Sequence, residues 1–139
     1  MKAPEKMVQD AIFRWLVMHR HLAIRVNSGA MVFEDGGDST PPSPPYKGGS
    51  RKRRFVRFAM WQVVGKALEW AGISDILACC DGQFVAIEVK APGKKGKVSE
   101  NQAAFLQAVR RCGGLAIVAE GIDDVEQVVG SRQYETEDI

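Results

Sequence analysis

The chain has 139 residues, 45% of them hydrophobic, and carries 19 basic and 17 acidic side chains for a net charge of +2. That suits one domain with a real core, and no apolar run reaches the ~18 residues of a membrane span. The three cysteines, Cys79, Cys80 and Cys112, show no Cys-x-x-Cys spacing, which argues against a zinc site or a disulfide framework and fits a reducing cytosol.

Pro4 to His19 is expected to form a helix. Met7, Ala11, Trp15 and Met18, with Val8, Ile12 and Leu16, make an apolar stripe at helical spacing. Pro4 suits the first turn and Glu5 the positive end of the helix dipole. Charges scattered through this stretch argue against a signal peptide. Leu22 to Phe33 reads as a strand. Residues 34–50 carry four of the six prolines and read as a flexible Pro/Gly-rich loop. Arg53 to Met60 reads as a second extended segment, and Trp61 to Ala71 as a short helix ended by Gly72.

Two apolar runs follow, Ile76 to Cys80 and Gln83 to Ile87, with Asp81-Gly82 between them. Asp-Gly at that place is a hairpin signal, because a type I′ turn needs positive φ at both central residues. Cys80 then faces Gln83, and facing pairs have numbers that sum to 163. Asp75 therefore faces Glu88, with Cβ atoms roughly 4.5–5.5 Å apart. Two carboxylates so placed repel unless one is protonated or a cation lies between them. Alternation puts Lys90 on the same face. The pattern suggests hydrolysis assisted by Mg²⁺, which takes oxygen ligands and typically uses one or two carboxylates. A plain exposed Glu–Lys pair is the structural alternative.

Residues 91–98 read as a Gly/Lys loop, Ser99 to Cys112 as a helix stopped by Gly113-Gly114, Leu115 to Ala119 as a strand, and Ile122 to Val129 as a last helix. Residues 131–139 form an acidic tail. The order implies an α/β sandwich with a mixed sheet. Charge is unevenly spread. Lys47, Arg51, Lys52, Arg53, Arg54 and Arg57 form one basic run without acids, and Lys90, Lys94, Lys95 and Lys97 a second. The rest of the chain holds 9 basic and 17 acidic residues, a net of −8. Two basic segments on an acidic body flank the hairpin and suggest a phosphate-binding surface. His19 and His21 read as surface histidines, and Trp15, Trp61 and Trp70 as core or dimer contacts.

Three stretches, Arg25-Val26-Asn27-Ser28-Gly29-Ala30, Gly72-Ile73-Ser74-Asp75-Ile76 and Ala86-Ile87-Glu88-Val89-Lys90-Ala91-Pro92, are followed by Ser99-x-x-Gln102 and Gly113-Gly114. In this order they resemble the VRR-NUC domains of the PD-(D/E)XK nuclease superfamily, over about residues 5 to 129. The departures are Ser74, where the superfamily pattern has proline, and the Pro-rich 34–50 stretch. The resemblance implies a restriction-endonuclease-like sandwich, a mixed central sheet flanked by helices, in a domain over 1–130. It also implies a DNA endonuclease that uses Mg²⁺ or Mn²⁺, in the cytoplasm of a bacterial or phage-infected cell. By matching position, Asp75 and Glu88 would bind metal with the Val89 carbonyl, Glu5 would complete the site, Lys90 would position or activate water, and Gln102 would support them. Glu5 read alone complements a helix dipole, and Gln102 read alone closes a capping box with Ser99. Asn27, Arg51, Lys52, Arg53, Arg54, Arg57, Lys94, Lys95 and Lys97 are the candidate DNA contacts. Standalone VRR-NUC domains resemble Holliday-junction resolvases, which act as homodimers, so branched DNA is the expected substrate. The alternatives are a DNA-binding module without catalysis and a sequence-specific restriction-type enzyme.

Overall fold

A computed structural model describes residues 3–26, 30–34, 53–57 and 59–130, with the backbone alone for Ala3, 30–34 and 53–57. Along them run α1 (Ala3–Met18), β1 (Leu22–Arg25), β2 (Ala30–Glu34), β3 (Arg53–Arg57), β4 (Ile76–Cys80), β5 (Gln83–Val89), α2 (Glu100–Arg111), β6 (Leu115–Ala119) and α3 (Ile122–Val129). Strands β1, β4, β5 and β6 form one sheet in that order; β2 and β3 pair as a separate antiparallel ribbon.

The sheet is mixed. β1–β4 and β4–β5 are antiparallel, whereas β5–β6 is parallel. A parallel pair needs a crossover connection, and α2 supplies it. Alternate side chains of the strands point to opposite faces. Ile76, Ala78 and Cys80 of β4 and Val85, Ile87 and Val89 of β5 pack with Ile12 and Leu16 of α1 and Val125 of α3. Across the sheet, Ala86 packs with Ile73 and with Phe105, Leu106 and Val109 of α2. The result is an α/β sandwich of restriction-endonuclease-like form, a four-stranded mixed sheet between helices. Among the described residues no helix is long and apolar enough to cross a membrane.

The β4–β5 hairpin has the register read from the sequence, from Cys80 opposite Gln83 to Ile76 opposite Ile87. Asp81 and Gly82 both have positive φ, 58° and 80°, as a type I′ turn requires. Three other expectations fail. The stretch 22–33 is not one strand: β1 and β2 belong to different sheets. The stretch 61–71 is not a helix. Trp61 and Glu69 bridge each other through Trp61 N–H to Glu69 O at 2.8 Å and Glu69 N–H to Trp61 O at 3.0 Å, around a turn where Gly65 has φ 86°. Trp61 anchors this small hairpin by meeting Phe105 edge-on and donating its indole N–H to the Ala71 carbonyl. Tertiary contact thus overrides weak helix propensity in a stretch with adjacent Val63 and Val64. His21 is buried beside Trp15 rather than on the surface, and His19 stacks on the same ring. Trp15 and Trp61 pack against the two cores.

Candidate active site

Asp75 immediately precedes β4, where the register brings it opposite Glu88 of β5. Its carbonyl accepts the Val26 N–H at 2.8 Å, extending the β1–β4 ladder. Its Oδ2 accepts the Val89 N–H at 2.8 Å, which ties the carboxylate to the neighbouring strand. Glu88 is 2% exposed. Its Oε1 accepts from Gln102 Nε2 at 2.7 Å and lies 3.6 Å from Lys90 Nζ. Its Oε2 is buried and accepts no hydrogen bond from the described residues.

Gln102 reaches these residues from the first turn of α2. Its Oε1 accepts the Ser99 backbone N–H at 2.9 Å and Lys90 Nζ at 3.1 Å, while its own N–H donates to Ser99 Oγ at 3.2 Å. Both groups at Oε1 act there as donors, which leaves Nε2 facing the Glu88 carboxylate and fixes the orientation of the amide. One side chain therefore closes the helix capping box and bridges Glu88 to Lys90. The two readings of Gln102 in the sequence are not alternatives. Ser99→Ala removes one half of the box and is expected to cost ~1 kcal/mol in urea unfolding, with Ser99→Asp restoring most of it.

Burial, and then the charge of Asp75, pushes the Glu88 carboxyl up to about 8, against the opposing charge of Lys90. Burial also raises Asp75; the Val89 N–H opposes this and the charge of Glu5 adds to it. Together the two shifts disfavour the doubly ionised pair and favour one that shares a proton. Such a pair, with one carboxylate oxygen buried and unpartnered, fits a hard cation in the proton's place. Among the described residues no group of three or more His, Cys, Asp and Glu side chains gathers to hold a metal. Asp75 and Glu88 are the two acids that come together. Glu5 stands in the first turn of α1, close enough for its charge to act on Asp75. Val89 buries its side chain in the core and gives its N–H to Asp75.

The expected DNA contacts divide. Lys94, Lys95 and Lys97 lie on the exposed loop that follows Lys90. Asn27, Arg51 and Lys52, the 34–50 loop and the 131–139 tail lie outside the described residues, as do the side chains of Arg53, Arg54 and Arg57. Sequence reading takes Gly72 as a helix stop and misses its role as the point where the backbone packs directly on Asn101 and Gln102 of α2. Its place just before Ile73-Ser74-Asp75 was the only signal.

No curated protein and no solved structure matches the chain. Residues 59–123 match the family model of the VRR-NUC domain, a nuclease-type domain of DNA processing. That stretch is just under half of the chain. It contains Asp75, Glu88, Val89, Lys90 and Gln102 and leaves Glu5 outside. Residues 59–123 are thus similar to the VRR-NUC domain, a family of the PD-(D/E)XK nuclease-like superfamily.

Proposed function

We propose that the protein is a metal-dependent DNA endonuclease that hydrolyses phosphodiester bonds. The observation that carries this reading is the single network joining Glu88, Gln102 and Lys90 beside Asp75. Asp75 and Glu88 would hold the cation, with the Val89 carbonyl and Glu5 completing its surroundings. The chemistry such a cation, Mg²⁺ or Mn²⁺, would supply is a lowered pKa for bound water and neutralisation of charge on the phosphate. The chain's own residues do the rest. Gln102 Oε1 holds Lys90 Nζ in place, and Lys90 orients the attacking water. The Val89 N–H fixes Asp75, and the burial of Glu88 keeps bulk water from its carboxylate. The 47–57 basic run, with Asn27, Lys94 and Lys97, binds the DNA backbone.

The substrate proposed is branched DNA cut by a homodimer, because two sites related by a two-fold axis can cut two strands symmetrically. Met7, Val17 and Met18, exposed on α1, offer an apolar face for a second copy. The test incubates the protein with labelled four-way junction, flap, nicked and linear duplex DNA in Mg²⁺, Mn²⁺ or EDTA. Cutting that needs the metal and falls at least ~10²-fold in Lys90→Ala is expected. Binding without cutting in either metal would leave a DNA-binding module. Preference for the linear duplex would remove the branched-DNA reading alone.

A further inference from the structure

The loop between β5 and α2 carries three lysines that sequence alone treats alike, and the structure separates them. Lys95 Nζ donates to Asp124 Oδ1 at 2.7 Å. Asp124 Oδ2 accepts the Glu120 N–H at 3.0 Å, and Glu120 Oε2 accepts the Gly93 N–H at 2.9 Å. The Lys90 N–H donates to the Ala119 carbonyl at 2.9 Å, one step beyond the β5–β6 ladder. The end of β6, the turn after it and the first turn of α3 therefore grip the loop at residues 90, 93 and 95.

Local geometry shapes the loop in the same place. The Lys94 N–H closes a turn on the Ala91 carbonyl at 2.9 Å. Pro92 occupies its second position and Gly93, with φ 81°, its third, which is the type II pattern. A second turn follows, closed by the Lys97 N–H on the Lys94 carbonyl at 2.9 Å. Lys94 and Lys97 are exposed, and among the described residues no acid pairs with either side chain.

We propose that Glu120 and Asp124 are positioning residues for this loop: they hold Lys95 as a tether and leave Lys94 and Lys97 to neutralise backbone phosphate. The phosphate half of the proposal rests on the nuclease reading, and the tether half does not. A lysine already paired with a carboxylate displaces no counterion from DNA, whereas a free one does. Each phosphate neutralised adds close to one unit to the slope of log K against log salt.

Two measurements test it. The first is the salt dependence of binding to a fluorescein-labelled four-way junction in EDTA, where no cutting competes. Lys94→Ala and Lys97→Ala should each lower the slope by about one. Lys95→Ala should leave it unchanged, and Asp124→Asn should raise it by about one by freeing Lys95. A drop for Lys95→Ala equal to that for Lys94→Ala overturns the proposal. The second is limited trypsin digestion without DNA. Cleavage after Lys94 and Lys97 should run several-fold faster in Glu120→Gln, Asp124→Asn and Lys95→Ala than in the wild-type protein, with Lys95→Arg restoring protection. Unchanged cleavage overturns the tether. If the wild-type protein binds no DNA while the trypsin result holds, the phosphate assignment and the nuclease reading fall and the tether stands.

Discussion

Glu88→Gln is expected to cut DNA at least ~10³-fold more slowly than the wild-type protein and, in EDTA at pH 8, to be the more stable of the two. Both effects come from one carboxyl. Burial and Asp75 raise its folded-state pKa to about 8 from an ordinary value of 4.5. An acid raised on folding binds its proton more tightly in the native state. Its stabilising contribution is therefore complete below about pH 4.5 and is lost as pH rises through 8. For the metal-free protein the loss between pH 5 and pH 8 is on the order of 4 kcal/mol. Asp75 is raised for the same first reason, burial, and works in the same direction. Glutamine cannot ionise, so the variant should keep only the dependence due to Asp75. Thermal unfolding in EDTA from pH 5 to pH 9 reads this directly. A divalent cation takes the place of the proton, so Mg²⁺ should stabilise the wild-type protein more at pH 8 than at pH 5. Calorimetry at pH 7 in two buffers of different ionisation enthalpy should show proton release on Mg²⁺ binding. A flat wild-type profile in EDTA, with no proton release, would sink the shared-proton account of the pair.

The second large effect is expected at Gly72. Its φ is 94°, and a Cβ there would lie 2.2 Å from the Asn101 carbonyl oxygen, 2.4 Å from its carbon and 2.9 Å from the Gln102 nitrogen. These are backbone atoms, so no side chain can swing aside. The left-handed conformation alone costs an alanine ~1–2 kcal/mol, and the clash adds to it. Gly72→Ala should therefore lose more than ~3 kcal/mol in urea unfolding. Any rearrangement that saves the fold moves the first turn of α2, and Gln102 with it. A misplacement of ~1 Å is enough to cost ~10²-fold in rate, so the fraction that remains folded should also cut slowly in single-turnover assays. Gly82 provides the contrast. It too has positive φ, 80°, but a Cβ there meets nothing within 4 Å, and asparagine tolerates that conformation. Gly82→Asn should leave both stability and cutting nearly intact. A Gly72→Ala variant as stable and as active as Gly82→Asn would mean that α2 is not held by this contact.

The hairpin was legible in the sequence because everything that sets it is local. Asp81-Gly82 names the turn, the turn fixes the register, and the register brings Asp75 to Glu88. Lys90 follows by alternation. What the sequence left open depends on contacts between distant segments. Ser99-x-x-Gln102 marks a capping box wherever the helix packs. The packing of α2 on the sheet, with Gly72 against Asn101 and Ala86 against Phe105, Leu106 and Val109, brings that box to Glu88 and Lys90. Trp61 shows the same limit from the other side. Nothing near it in sequence says that its indole finds Ala71 and Phe105, and the helix expected there does not form. Likewise Lys95 differs from Lys94 and Lys97 only through Asp124, 29 residues away.

The type I′ turn lies at the opposite end of the β4–β5 ribbon from the two acids. Five facing pairs separate them, about 17 Å at ~3.4 Å per residue. Cys79 is exposed beside that turn, whereas Cys80 is buried and burial pushes its thiol up to about 11. A fluorophore on Cys79, in a Cys112→Ser background, thus sits on the same rigid ribbon as the carboxylates without touching them. The distance from such a probe to a labelled DNA end would give the direction in which the nucleic acid enters the cleft.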